Sequence, residues 1–163
     1  MKIYVASSWR NNIQPVVVAE LRKLGHEVYD FRNPAPGNNG FHWSEIDTEW
    51  KNWKHEDFRE ALNHPIAEKG FKLDMGALHV SDICVLVLPC NRSAHLEAGY
   101  KIGQGKPTII LLDESCEPEL MYKMTPYVCK NLPEVISIIQ FLEGVKQDED
   151  YRRQHATAAG YSG

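Results

Sequence analysis

Four short runs of β-branched and aliphatic residues, separated by stretches with helical spacing, restrict this chain to few architectures. They are Ile3 to Ala6, His26 to Phe31, Ile83 to Leu88 and Thr108 to Leu112. The third reads Ile83-Cys84-Val85-Leu86-Val87-Leu88 without a polar break. A strand wetted on one face alternates apolar with polar, so an unbroken run of this length points to a strand covered on both faces. Helices must supply that cover. A strand–helix–strand order then favours parallel pairing through right-handed crossovers.

The segments between the runs fit this scheme. Ser7-Ser8-Trp9-Arg10-Asn11-Asn12 is a polar turn, and a helix follows with Pro15 in its first turn and Gly25 closing it. Asn33-Pro34-Ala35-Pro36-Gly37-Asn38-Asn39-Gly40 reads as a long loop. Beyond it lie three of the four tryptophans, and a helix starting near Ser44 would set Ile46, Trp50, Trp53 and Asp57 along one stripe. Pro65 ends that region at His64. A helix over 67–80 carries Phe71, Met75 and Leu78 on one face, with Asp74 among them. Another runs to Gly103 from an N-cap at Ser93. A short helix near 118–123, an edge strand at Val128-Cys129 and a last helix from Leu132 through Leu142 complete the pattern. The expected fold is a single-domain α/β structure: a doubly wound, parallel, five-stranded sheet of flavodoxin-like order, with a helical insertion after strand 2. It spans residues 1–146, and the polar stretch 147–163 is expected to be a mobile tail.

Composition narrows the function. The 163 residues carry a formal charge of -4 with Lys and Arg dispersed, so no nucleic-acid polymer is expected as a partner. No segment approaches the roughly 20 apolar residues of a membrane span, and the chain opens directly into a strand pattern. A cytoplasmic protein with a small-molecule ligand and no membrane partner is expected. The four cysteines, Cys84, Cys90, Cys116 and Cys129, form no CxxC pair, which disfavours a disulfide framework or a cysteine zinc site. The seven histidines show no HxH or HExxH spacing, so no metal is expected. Glycine-rich phosphate fingerprints are absent, so no cofactor held by a Walker or Rossmann loop is expected either.

The residue of greatest interest is Glu97. It lies about one turn into the helix that follows the third strand, which puts it at the carboxyl edge of the sheet, where open α/β sheets bind ligands. The positive end of the helix dipole should keep it ionised there. Two readings stand: a carboxylate facing a ligand crevice, or a solvated helix residue paired with Lys101 at i+4. The turn Asn91-Arg92-Ser93-Ala94 is either an anion site built from helix-start N–H groups or a plain capped helix. His95, in the same turn, contacts a ligand or points to solvent. Asp74 is either aimed into the pocket or placed on the helix surface. Asp30, near the end of strand 2, is positioned to face the crevice. The tryptophans either stack on a ligand base or pack as core and flap.

These pieces, in order, resemble the nucleoside 2-deoxyribosyltransferase superfamily. The matching segments are Lys2-Ile3-Tyr4-Val5-Ala6, Gly70-Phe71-Lys72-Leu73-Asp74, Ser81 to Leu88, and Ser93-Ala94-His95-Leu96-Glu97-Ala98-Gly99-Tyr100 followed by Gly105-Lys106-Pro107. The resemblance implies that Glu97 is a nucleophile attacking the anomeric carbon to form a covalent glycosyl-enzyme. It implies that Asp74 lies in the pocket, that Tyr4, Ala6 and Ser7 line the sugar site, and that the protein is a homodimer or higher homo-oligomer. In the family an Asp and a Gly often precede the Glu. Here Asn91-Arg92-Ser93-Ala94-His95 stands instead, and its cation and hydroxyl suit a phosphorylated substrate. The implied activity is cleavage of the N-glycosidic bond of a nucleoside 5'-monophosphate or nucleoside, by hydrolysis or base transfer, without a cofactor. Asp30, Asp74 and His95 are the candidates for protonating the base. Two other readings remain, an NAD-type glycohydrolase of TIR-like kind and a non-catalytic nucleotide-sensing module.

Overall fold

The computed structural model describes residues 1–114 and 117–159, with side chains followed to residue 153. Five strands, β1 (Lys2–Ala6), β2 (Glu27–Tyr29), β3 (Ile83–Val87), β4 (Thr108–Leu111) and β5 (Tyr127–Cys129), pair entirely in parallel in the order β2-β1-β3-β4-β5. This is the flavodoxin-like arrangement. The strand order reverses between β1 and β3, which opens a crevice above their carboxyl ends.

Alternation along the strands divides the core. Ile3, Val5, Val85 and Val87 point to one face, under α1 (Gln14–Lys23) and α5 (Leu132–Ala159), with Val17, Leu21, Val135 and Ile139 packed on them. Tyr4, Ala6, Cys84 and Leu86 point to the other, under α3 (Pro65–Val80) and α4 (Arg92–Gly103), with Leu78, Ala94 and Ala98. Every residue of β3 is buried, as its unbroken apolar run requires. Cys84, Cys90 and Cys129 are free thiols, and Cys116 lies outside the described residues.

Three local expectations give way. The insertion does not form one helix from Ser44. It makes two 3-10 turns, Trp43–Glu45 and Trp50–Asn52, before a short α2 (His55–Ala61). The rings decide this: Trp43 meets Phe41, Trp53 and Phe58 edge-on, and the Trp53 indole donates to Asp47 at 2.6 Å. Ring clustering and that hydrogen bond override the helical stripe. On α3, Met75 and Leu78 reach the core, but Phe71 is 62 % exposed. The helix runs antiparallel to the strands, so its early turns project past the sheet that covers the later ones. The last helix continues beyond Leu142 to Ala159, because Lys, Gln, Glu, Arg and Ala are strong helix formers and no proline follows Pro133 in it. From Gly144 to Arg153 it is exposed.

Two glycines dock the insertion. Gly40 has φ +78°, and a Cβ there would lie 2.3 Å from the Phe31 carbonyl oxygen and 2.8 Å from the Trp9 ring. Gly70 on α3 lets Phe41 rest against the helix, where a Cβ would lie 2.9 Å from Phe41 Cβ. Arg32 fastens the adjoining turn by donating to the carbonyls of Ser8, Trp9 and Asn11.

Candidate active site

β1, β2, α3 and α4 each deliver one residue to the crevice. Tyr4 is fully buried, and its ring stacks on Tyr29 at 5.3 Å with the planes 16° apart. The Tyr29 hydroxyl donates to Asp74 Oδ1 at 2.8 Å. Glu97 lies close enough to Asp74 for the two charges to repel. The Tyr4 hydroxyl favours the charged form of Glu97 but completes no hydrogen bond of ordinary geometry. Two carboxyls and two phenols therefore share a largely desolvated space at the point where the strand order reverses.

This setting reverses the expected charge of Glu97. Asn91, not Ser93, is the N-cap of α4, so Glu97 sits beyond the first turn, where the dipole fades. Burial and the neighbouring Asp74 push its carboxyl up to about 8. Burial also raises Asp74, and the Tyr29 hydrogen bond holds that rise back. Burial and both carboxylates keep the Tyr4 and Tyr29 phenols protonated far above their ordinary range.

The shift links pH to stability. The folded value of Glu97 lies above the unfolded value of 4.5, so the folded state binds more protons in between. The stability this contributes is complete below pH 4.5 and is lost as the pH rises through about 8. Glu97→Gln should remove this fall. The difference in denaturation free energy between variant and parent, measured from pH 5 to 9, should therefore grow in favour of the variant; parallel curves contradict the assignment.

The i+4 partnership of Glu97 with Lys101 is not formed. Lys101 is fully buried, and its ammonium donates to the Leu78 and Ser81 carbonyls and to Gln104 Oε1. It ties the end of α3 to α4, the two helices that carry Asp74 and Glu97.

The other expected site residues divide. Ser7 is half-buried at the end of β1 and donates to the Val87 carbonyl at 2.8 Å, closing the gap between the central strands. Asn91 donates to Ser8 Oγ across the same gap. Arg92 and Ser93 are exposed and make no side-chain hydrogen bond among the described residues. Ala6 and Ala94 are buried in the core beneath the crevice. Asp30 is buried and occupied, accepting from Gln14, from the Arg32 N–H and from Asn33. It braces the loop after β2 and does not join Asp74 and Glu97. His95 stacks on Tyr122 and shares hydrogen bonds with the Tyr122 hydroxyl at 3.0 Å and the Asn91 carbonyl at 3.2 Å. Because a carbonyl only accepts, Nδ1 carries the ring proton and Nε2 accepts from Tyr122 in the neutral imidazole.

A pocket partly open to solvent lies between the insertion and α3. Phe31, Phe41 and Leu73 give it apolar walls, Asn38 and Lys69 are polar points, and Asp74 is on its lining. Glu97 is not on that lining, so Asp74 stands between pocket and nucleophile candidate. Among the described residues, no three His, Cys, Asp or Glu side chains gather into a metal site, and no helix is long and apolar enough to cross a membrane.

Sequence reasoning passed over Tyr29, Phe31 and Phe41. Tyr29 had one signal, its parity with the buried strand positions next to Asp30. The phenylalanines had none, since their placement depends on Gly40 and Gly70.

The sheet order is that of the flavodoxin-like α/β fold. Among solved structures the chain is similar to a 2-deoxyribosyltransferase from the psychrotolerant bacterium Bacillus psychrosaccharolyticus, with a TM-score of 0.56 and 23 % identity over 83 % of this chain and 90 % of that one. That likeness establishes the shared fold. No family model and no curated protein matches the chain.

Proposed function

We propose that this protein cleaves the N-glycosidic bond of a nucleoside 5'-monophosphate or nucleoside. The observation that carries the reading is the pairing of Glu97 with Asp74, two desolvated carboxyls at the carboxyl edge of β1 and β3. The two carboxyls share one proton, which rests on Glu97; the reactive form is the minor one, with the charge on Glu97 and the proton on Asp74. A Glu97 oxygen bonds to the anomeric carbon as the C–N bond breaks; the bond's electron pair stays on the base nitrogen, which takes the Asp74 proton. Water then gives a proton to Asp74 and attacks the same carbon, which frees Glu97; a second base in place of water makes the reaction a transfer. Asp74 is preferred as the acid because Asp30 is occupied by three donors and His95 is engaged with Tyr122. The pocket beside Asp74, walled by Phe31 and Phe41, suits the departing base. Free N–H groups at the start of α4, with Arg92 and Ser93 exposed there, suit a 5'-phosphate.

The test is to incubate the protein with a panel of nucleosides, nucleoside monophosphates and NAD and to follow free base by chromatography. Base release from at least one monophosphate or nucleoside is expected. Nicotinamide release from NAD alone would instead support the NAD-type glycohydrolase, and tight binding without release a sensing module.

We also propose a homodimer or higher homo-oligomer. Phe71, Leu96 and Leu120, on α3, α4 and the turn before β5, are 62 %, 76 % and 76 % exposed. An interface between copies would take these side chains out of water. Light scattering should give at least twice the chain mass, and Phe71→Glu with Leu96→Glu should reduce it toward the monomer. A monomeric parent protein defeats this part of the proposal.

A further inference from the structure

Tyr29 belongs to no motif, yet among the described residues it is the one side chain that hydrogen-bonds Asp74. We propose that Tyr29 is a positioning residue for the leaving-group proton: its hydroxyl occupies Asp74 Oδ1, which directs the acid proton to Oδ2, the oxygen left for the departing base. The inference rests on the glycosidic reading above and adds to it a residue and a choice of atom.

The geometry is specific. Tyr29 ends β2, and its backbone is held in register with Tyr4 of β1. Its ring lies nearly parallel to the fully buried Tyr4 ring, so the ring plane is fixed by a neighbour that has no room to move. The hydroxyl donates to Oδ1 at 2.8 Å, while Oδ2 has no hydrogen-bond partner among the described residues. A phenol has a single proton to give. The carbonyl oxygen of a carboxylic acid is a better acceptor than its hydroxyl oxygen, so donation to Oδ1 favours the carboxylic proton on Oδ2. Asp74 also lines the pocket between the insertion and α3. The phenol remains a donor throughout the working range, since burial and the nearby carboxylates disfavour its ionisation.

The groups facing this bond come from every packed element. Glu97 approaches from α4, Tyr4 from β1, and Asp30 acts on Tyr29 from just beyond β2. Glu45 and Lys69 stand on the lining of the pocket that Asp74 shares. The Tyr29 hydrogen bond favours the charged form of Asp74. Losing it therefore raises the affinity of Asp74 for its proton and frees that proton to sit on either oxygen.

Tyr29→Phe keeps the stacked ring and removes only the donor. Two readouts separate positioning from mere packing. The first compares a nucleotide with a neutral base, which needs a proton to leave, with 7-methylguanosine 5'-monophosphate, whose cationic base leaves without one. Tyr29→Phe should lower kcat/KM about ten-fold or more on the first and less than about two-fold on the second, a share of the 10²–10⁴ that general acids supply. Equal losses on both, or no loss on the first, overturn the proposal. The second readout is the carboxyl ¹³C titration of Asp74, assigned by its disappearance in Asp74→Asn. Tyr29→Phe should move it to higher pH, and an unmoved titration overturns the proposal whether or not the protein turns over. A parent protein inactive on both nucleotides removes the glycosidic reading, and the titration still decides the Tyr29–Asp74 bond.

Discussion

Glu97→Ala should abolish base release while leaving the protein as stable as its parent or more so. Loss of a covalent nucleophile costs on the order of 10³-fold or more in kcat, because the remaining groups cannot replace the bond it forms. The stability half of the expectation is less usual for a largely buried residue. Glu97 is destabilising where it is charged, since it is desolvated and faces Asp74. Alanine removes both costs and is the best helix former at a mid-helix position. The two measurements are base release by chromatography and a thermal melt at pH 8. Release within about ten-fold of the parent's rate would exclude Glu97 as the nucleophile. A collapsed melt would show instead that Glu97 holds the crevice together.

The second large effect concerns the insertion. Gly40→Ala should destabilise the protein by about 3 kcal/mol, from roughly 1–2 kcal/mol for the left-handed backbone and about 1–3 kcal/mol for overlap in a packed site. The overlap is with backbone: a Cβ would lie 2.3 Å from the Phe31 carbonyl oxygen, which cannot swing aside as a side-chain tip can. Gly37 is the internal control. It also has positive φ, at +74°, but a Cβ there meets nothing within 4 Å, so Gly37→Ala should cost only the backbone share of about 1 kcal/mol. Urea denaturation of both variants measures the difference. Equal costs would mean that Gly40 is needed for its dihedral alone and that the insertion is not docked through it.

How much could be read from sequence depended on whether a feature was local. The unbroken run of β3, Pro15 in the first turn of α1 and Gly25 at its end each determine their own conformation, and the elements form there. The place of Glu97 at the sheet edge was legible because the end of β3 fixes where α4 begins. Its protonation was not, since the raised value of Glu97 depends on burial and on a carboxyl 23 positions earlier. Lys101 shows the same limit: helical spacing offered it Glu97, but the fold took it into the core to meet the carbonyls ending α3. Asp30 looked like a crevice residue from its place at a strand end, yet Gln14, buried on α1, claims it. The insertion was the least legible part, because its ring contacts and its two glycine approaches are all tertiary.

The ring cluster equips the molecule with an internal optical reporter. Trp9 touches Phe31, and Trp43 touches Phe41, so two indoles lie one side chain behind the pocket wall, and Trp53 lies behind Trp43. Anything that enters and shifts those phenylalanines alters the surroundings of indole groups, and ultraviolet emission registers the change without a label. Occupancy can therefore be followed by fluorescence even in a variant that performs no chemistry.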